Sequence, residues 1–554
     1  MFIILISKIS SKFKNVVYFK KLSRNILLGF FILSTYITHI YLIVYFDPLN
    51  GADNYKYIQN IYFFLGEEAT LFDNQNTFYY FFVSIVVGLF SFVFEFSSTS
   101  LLLNDSILYA NLFLYLFGVW GYFYLMRFWN FSLNTSLIII TLFNFTPFIY
   151  ILRMNMKPEI LAFAILPWLI FSLEKFKSDN KKIYLLISSL TIFFLFSSKG
   201  SIFGMTLIIL VLYLLINIRY YKRINLAFLF FSLLIILIFS NLDNRRLGVG
   251  SILERSPEAQ YENLVDLNTL YSVDLVKLYK DPVKNYHKNS ILGITLLDTY
   301  GDYFELNWKE DSSLFRKNIK PLVVYGNTEN TNPNKLFYID FGEKNIVYNG
   351  PQPHYFDFIV IYLGIVITTT FYILLIFQAI TTNSNNLRLF LLSPFIGLGI
   401  LFVNAYFGFP QMNYDPNTSD TFKVFYYSYL LTIPFCLIIN RIKLSTRSLF
   451  LILVYVLFFT VNLGFPKQNT EELDKNIVIQ VENSITCNLY KNVIEPTLIS
   501  NKKIDCNNSS KKKIEVSLET RNFPIFNNLF FILLFVLIFF KLPKQFRDKT
   551  VAPD

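Results

Sequence analysis

Charge is scarce in this 554-residue sequence, where Asp, Glu, Lys and Arg make up 16% of positions, against roughly 25% in a soluble globular domain. Histidine and cysteine are scarcer still, with three of each. His39, His287 and His354 stand far from one another and form no cluster with Cys436, Cys487 or Cys506, so a zinc site is not expected. No loop of the form G-x-x-x-x-G-K-S/T occurs, which argues against ATP-driven transport by this chain. A G-x-S-x-G nucleophile turn is also missing. The formal net charge is +11, but the cations sit in short clusters between apolar runs, so nucleic acid is not an expected partner.

What the sequence has instead is apolar and aromatic: 54% hydrophobic residues, with 63 Phe and 37 Tyr. Uninterrupted apolar runs recur along it, many of them about 18 to 22 residues long, enough to cross a hydrocarbon core about 30 Å thick. The fold class is an all-α polytopic membrane protein. Thirteen apolar segments are present, at 25–46, 78–96, 106–126, 132–152, 160–173, 183–198, 201–218, 224–240, 356–380, 389–408, 424–440, 448–464 and 523–540. The first follows a basic start (Lys8, Lys12, Lys14, Lys20, Lys21, Arg24) and leads directly into Phe46-Asp47-Pro48. It reads as a retained span rather than a cleaved signal.

Counting all thirteen as spans puts Lys175, Lys177, Lys181 and Lys182 outside, with Arg219, Lys222 and Arg223, against the positive-inside bias. If 78–96 dips into the outer face without crossing, those clusters return to the cytoplasm. Arg127, Arg388, Arg441, Lys443, Arg447 and the tail Lys541, Lys544, Arg547 and Lys549 then fall on the same side. Glu95 within that segment suits an interfacial position. Demoting 106–126 instead gives the same downstream topology. The expectation is about twelve spans in a cytoplasmic (inner) membrane, both termini cytoplasmic, with mixed α/β extracytoplasmic loops. The units are an N-terminal membrane module over 1–240 with a long outer loop at 47–105, an outer loop at 241–355, a second membrane module at 356–464, an outer region at 465–522, and a last span with tail at 523–554. Cys487 and Cys506 share the 465–522 region, where an oxidising compartment permits a disulfide; two free thiols are the alternative. Cys436 lies in a span and reads as a packing residue.

Candidate chemistry is confined to the predicted outer mouths of spans. Asp53 precedes Ile58, Ile61, Tyr62 and Leu65, spaced i, i+3, i+4, i+7, a short amphipathic helix suited to a membrane surface. Asp53 is either a helix cap or a functional carboxylate. The turn Arg153-Met154-Asn155-Met156-Lys157-Pro158-Glu159 carries two cations on the predicted outer side. They would hold a phosphate with Glu159 facing the same space, or they are ordinary cytoplasmic flanking charges. Lys199 is a snorkelling anchor or the partner of an anionic headgroup. Asp298 and Asp302, with aromatics between them, read as the lip of a carbohydrate or metal site, or as ordinary turn residues. Lys423 is an interface anchor or a contact for a lipid phosphate, and His354 beside Asp357 is a weaker candidate for substrate contact.

Asp53 followed four residues later by Tyr57, just beyond the first span, resembles the first-loop motif of the GT-C membrane glycosyltransferases. These include polyprenyl- and dolichyl-phosphate-mannose-protein mannosyltransferases and lipid A aminoarabinose transferases. The likeness follows the first 200 or so residues in order, with Glu159 as the acidic residue of the next outer turn, and the rest only in architecture. Asn54 stands where an Asp-Glu or Asp-Asp pair is common, and Glu159 follows Lys-Pro where many members have Asp. The resemblance implies a polyprenyl-phosphate-sugar donor in the membrane lipid and a glycan, lipid or protein hydroxyl as acceptor, with inversion at the sugar. Asp53 would act as base, Glu159 as helper or metal ligand, and Tyr57 would contact substrate. Arg153, Lys157, Lys199 or Lys423 would stabilise the departing phosphate. Whether a divalent cation takes part is left open. A glycan polymerase and a lipid-linked glycan transporter or flippase are the competing classes.

Overall fold

The computed structural model describes residues 24–45, 54–66, 77–93, 99–196, 198–221, 272–280, 290–300, 357–406 and 423–441. It adds short pieces at 323–325, 336–338, 454–456, 476–481 and 512–517, and residue 533. Helices dominate: α1 Arg24–Tyr45, α2 Asn54–Phe64, α3 Thr77–Val93, α4 Thr99–Phe128, α5 Leu133–Phe143, α6 Pro147–Met154, α7 Glu159–Asp179, α8 Lys182–Phe196 and α9 Gly200–Ile216. There follow α10 Leu275–Lys280, α11 Ile291–Thr299, α12 Asp357–Thr381, α13 Asn385–Tyr406 and, after a 3-10 turn at Val424–Tyr427, α14 Ser428–Arg441. Two short antiparallel pairs, β1 Val323–Tyr325 with β2 Leu336–Tyr338 and β3 Asn476–Val481 with β4 Lys512–Ser517, lie in the regions read as loops.

Five of these helices are long and apolar enough to cross a membrane, six if the bent pair α5–α6 is one span. α3, α8 and α9 are apolar but shorter. Of the thirteen apolar segments, 224–240 lies outside the described residues, as do 448–464 and 523–540 apart from the pieces named above.

Local chemistry explains the breaks. Ser132 caps α5 by accepting from the Thr135 N–H at 3.0 Å, satisfying one of the free donors at a helix start. α5 then stops at Asn144, and Pro147, which has no N–H to give, opens α6 at a bend of 56°. α7 ends at Asn180 in the left-handed conformation (φ 53°), its N–H returning to the Phe176 carbonyl at 2.8 Å.

α4 and α7 form the spine. Tyr115 stacks on Phe163, Trp120 meets Trp168, Tyr124 meets Phe171, and Lys175 lies 5.3 Å over the Phe128 ring. Contacts that rise together in residue number mean the two helices run parallel. Their close approach needs Gly118 and Gly121, where a Cβ would fall 2.6 Å from the Phe163 ring and 2.7 Å from the Trp168 indole. With 21 residues, α7 is about 31 Å long, close to the thickness of a hydrocarbon core.

The cations of the connectors gather at one end of this spine. Arg127 donates to the Phe131 carbonyl, and Lys177 lies over the Tyr220 ring. Asn386 donates to Glu174, Arg388 to the Ala379 and Thr382 carbonyls, and Arg441 to Thr381. Glu159, at the other end of α7, marks the opposite mouth.

α1 packs against the α5–α6 bend, with Ser34 and Thr35 beside Asn144 and Thr38 beside Arg153. α4, parallel to α7, starts toward the mouth. Between α1 and α4 in sequence, α3 meets Asn111 of α4 through Tyr79 and Tyr109 through Phe90. Two positions eleven apart on α3 thus meet two positions only two apart on α4.

The apolar stripe of α2 departs from its expected setting. Ile58 and Ile61 are fully buried and Tyr62 nearly so. Tyr57 stacks on Tyr80 and Phe64 meets Phe81. The stripe faces α3 rather than lipid, because α3 offers an aromatic surface of its own.

Candidate active site

The mouth opposite the basic end holds an ion pair that sequence order does not suggest. Pro158 leads into α7 and places Glu159 in its first turn, where the helix dipole favours a carboxylate. Lys199 sits in extended backbone just before α9. Its ammonium meets Glu159 Oε1 at 2.8 Å, the carboxylate side chain fully buried and the lysine 17% exposed. Glu159 Oε2 is sealed from solvent and accepts no hydrogen bond from the described residues. Breaking such a pair strands a charge in a low-dielectric site, at a cost of about 3–5 kcal/mol.

Aromatic rings close the mouth. Lys199 lies 4.7 Å over the Tyr426 ring, and Lys157 lies 5.4 Å from Phe425 and 5.6 Å from Tyr426. Both rings come from the 3-10 turn Val424–Tyr427. That turn is anchored where the Val424 N–H donates to Asp298 Oδ2 at 3.2 Å and the Tyr427 hydroxyl approaches Thr295 at 3.4 Å. Asp298, at 2% exposure, is therefore fixed in a buried contact with the 3-10 turn that precedes α14. Lys423 precedes the same turn, partly buried.

Arg153 goes elsewhere. It is 1% exposed, and its Nη1 donates to Thr38 Oγ1 at 3.0 Å and to Asn144 Oδ1 at 3.1 Å. Its guanidinium carbon lies 4.6 Å over Tyr115 and 5.5 Å from Tyr150. α6 ends at Met154 and Asn155 is extended, so Arg153 faces α1 and α5 while Lys157 faces the mouth. The structure brings Lys157, Lys199 and Glu159 together with the Lys423 turn, and leaves Arg153 out. Tyr57 is the ring stacked on Tyr80, whose neighbour Tyr79 donates to Asn111 at 2.8 Å. Asp53, Asp302, His354, Cys487 and Cys506 lie outside the described residues.

Phe425, Tyr426 and Asn111 escaped the sequence reading. Tyr426 passes for an interface-belt aromatic, whereas Asn111, an amide within an apolar run, carried a usable signal. Among the described residues, Glu159 already holds an ammonium at 2.8 Å and no three acidic, His or Cys side chains gather; Asp53, the other carboxylate expected to serve a divalent cation, lies outside them.

No protein-family model matches the chain, and no curated protein matches it significantly. Among solved structures, the apo crystal structure of ArnT from Cupriavidus metallidurans is similar over 74% of this chain and 76% of that one, at 12% identity and a TM-score of 0.32. A likeness at that level carries no argument about the site or its reaction.

Proposed function

We propose that the chain is a membrane glycosyltransferase that moves a sugar from a polyprenyl-phosphate-linked donor to an acceptor hydroxyl at the non-cytoplasmic face of a cytoplasmic membrane. The carrying observation is the buried Glu159–Lys199 pair beside Lys157, at the mouth opposite the cation-rich end. Positive-inside bias puts the cation-rich end in the cytoplasm and the pair's mouth outside. Three lysines, Lys157, Lys199 and Lys423, stand there against two described carboxylates, Glu159 and Asp298, a balance that favours an anion. A polyprenyl tail would lie in the bilayer with its phosphate at that depth.

In this reading the acceptor oxygen attacks the anomeric carbon and the bond from that carbon to the phosphate oxygen breaks. The phosphate leaves with the electron pair, and the acceptor proton passes to a carboxylate. Asp53 is the base, one residue before α2. Its support is the chain of contacts from Tyr57 through Tyr80 and Tyr79 to Asn111, which ties the start of α2 to the mouth. Glu159, locked to Lys199 and closed to solvent, is better suited to hold that ammonium against the departing phosphate than to take a proton.

The test is transfer from a panel of undecaprenyl-phosphate sugars by purified chain in lipid vesicles. Asp53→Asn is expected to insert normally and to lose transfer, and Lys199→Met to lower kcat by about 10²- to 10³-fold. Unchanged transfer in Asp53→Asn would overturn the assignment of the base. Absence of Lys199 dependence would overturn the reading of the mouth.

A further inference from the structure

α6 ends in an unusual way. The last carbonyls of a helix have no partner within it, and at the end of α6 two of them, with the carbonyl of the residue just after, are taken by asparagine amides. Asn155 Nδ2 donates to the Ile151 carbonyl at 3.2 Å. Asn111, from the middle of α4, donates through Nδ2 to the Arg153 carbonyl at 3.1 Å and to the Asn155 carbonyl at 2.9 Å. Its Oδ1 accepts from the Tyr79 hydroxyl of α3 at 2.8 Å. Asn111 and Tyr79 are both fully buried, and the Asn111 amide bonds on both its oxygen and its nitrogen. One side chain on the spine thus grips the end of α6 and the start of α3.

Three residues separate the gripped Asn155 from Glu159, and Lys157 is the middle one. Met156, also in that stretch, is 1% exposed, so the turn is clamped on both sides. We propose that Asn111 is a positioning residue for the mouth: it sets the turn 155–158, and through that turn the placement of Lys157 against Phe425 and Tyr426 and of Glu159 against Lys199. The role rests on the transferase reading for its catalytic meaning, but its geometry stands apart from that reading. Asn111 touches no group assigned to substrate; it acts through the turn. A helix-to-helix tie alone would bond side chain to side chain, as Asn386 does with Glu174 and Asn217 at the basic end. Asn111 instead spends its two donated bonds on backbone carbonyls at one helix end.

The experiment reads geometry without needing activity. In full-length chain with Cys436, Cys487 and Cys506 replaced by Ala, Lys157→Cys and Tyr426→Cys are joined by a short bifunctional maleimide in vesicles. Cross-linking is expected to fall about fivefold or more when Asn111→Ala is added, from loss of buried bonds, and to stay at the parent level with Asn386→Ala, which removes comparable bonds at the other end. Tyr79→Phe, which leaves both carbonyl bonds in place, is expected to change it less than Asn111→Ala. Equal cross-linking in Asn111→Ala and parent overturns the proposal, as does an equal loss in Asn111→Ala and Asn386→Ala, which is general loosening. If vesicles of the otherwise native chain transfer sugar, Asn111→Ala should lower kcat with the pH profile displaced, while Asn386→Ala leaves both unchanged. Absence of transfer in the native chain counts against the proposed function and leaves the cross-linking result to stand by itself.

Discussion

The same two charges meet at both ends of α7 in opposite surroundings. At the basic end Lys175 and Asp179 are 3.4 Å apart, one helical turn from each other, with side chains 24% and 29% exposed. At the mouth Lys199 and Glu159 are 2.8 Å apart, 40 residues from each other in sequence, with the carboxylate sealed. Water screens the first pair and leaves it worth about 0–1 kcal/mol. The second, with its carboxylate sealed and its lysine 17% exposed, is screened far less, so its formation depends on the surrounding helices and its loss is costly. A fold keeps such an expensive arrangement only where the rest of the structure holds it in place, and here the Asn111 amide, the Asp298 contact and the Tyr426 ring all converge on it.

The sharpest way to break this contrast is Lys199→Met. It should cost about 3–5 kcal/mol of stability, read as a lowered unfolding temperature in detergent. Adding Glu159→Gln should recover a large part of that loss, because the stranded charge is gone. Strict additivity of the two changes would mean the pair is not coupled. Next comes Arg153→Met. The arginine is buried, yet Asn144 Oδ1 keeps the Tyr115 hydroxyl and Thr38 Oγ1 keeps the Ser34 carbonyl, so the partners stay satisfied. The expected loss is below about 2 kcal/mol, less than for Lys199→Met, and a larger loss would show that Arg153 has a counter-charge beyond the described contacts. Asp298→Ala should cost about 1–2 kcal/mol by freeing the Val424 N–H, with a larger relative effect on transfer than on stability as the Phe425–Tyr426 turn loosens.

Smallest of all is Asp179→Asn, expected to stay within about 0.5 kcal/mol. The Ser178 hydroxyl first, and then Lys175, holds the Asp179 carboxyl below its ordinary value. A depressed folded-state value gives stability that is present above the ordinary 3.8 and is lost as pH falls through the lower folded value. Denaturant midpoints of wild type and Asp179→Asn should therefore differ slightly at neutral pH and converge in acid. A difference that grows in acid would reverse the sign of this account.

Much of the fold was legible because the signals are local. An apolar run of sufficient length becomes a helix wherever it packs, so α1, α4, α12, α13 and α14 coincide with apolar segments to within a few residues, apart from a longer polar start to α4. Clusters such as Lys175 with Lys177 mark one end of the spine, where Lys175 lies over the Phe128 ring and Lys177 over the Tyr220 ring. The stripe Ile58, Ile61, Tyr62 was legible as a buried face, but periodicity is the same whether lipid or protein covers it, and α3 covers it here. The mouth was half legible. Lys157, Glu159, Lys199, Asp298 and Lys423 were singled out one by one, but that Lys199 pairs with Glu159 depends on how α7 and α9 meet. Arg153 was grouped with Lys157 by sequence adjacency, and the end of α6 at Met154 separates them.

The whole account requires the Glu159–Lys199 mouth and the basic end to lie on opposite sides of a membrane. In a background with the native cysteines replaced, single cysteines at Lys157 and at Lys177 can be exposed to a membrane-impermeant maleimide in right-side-out vesicles. Lys157→Cys should label at once and Lys177→Cys only after permeabilisation. Labelling of Lys177→Cys in sealed vesicles, with Lys157→Cys protected until they are opened, would contradict the account at its root.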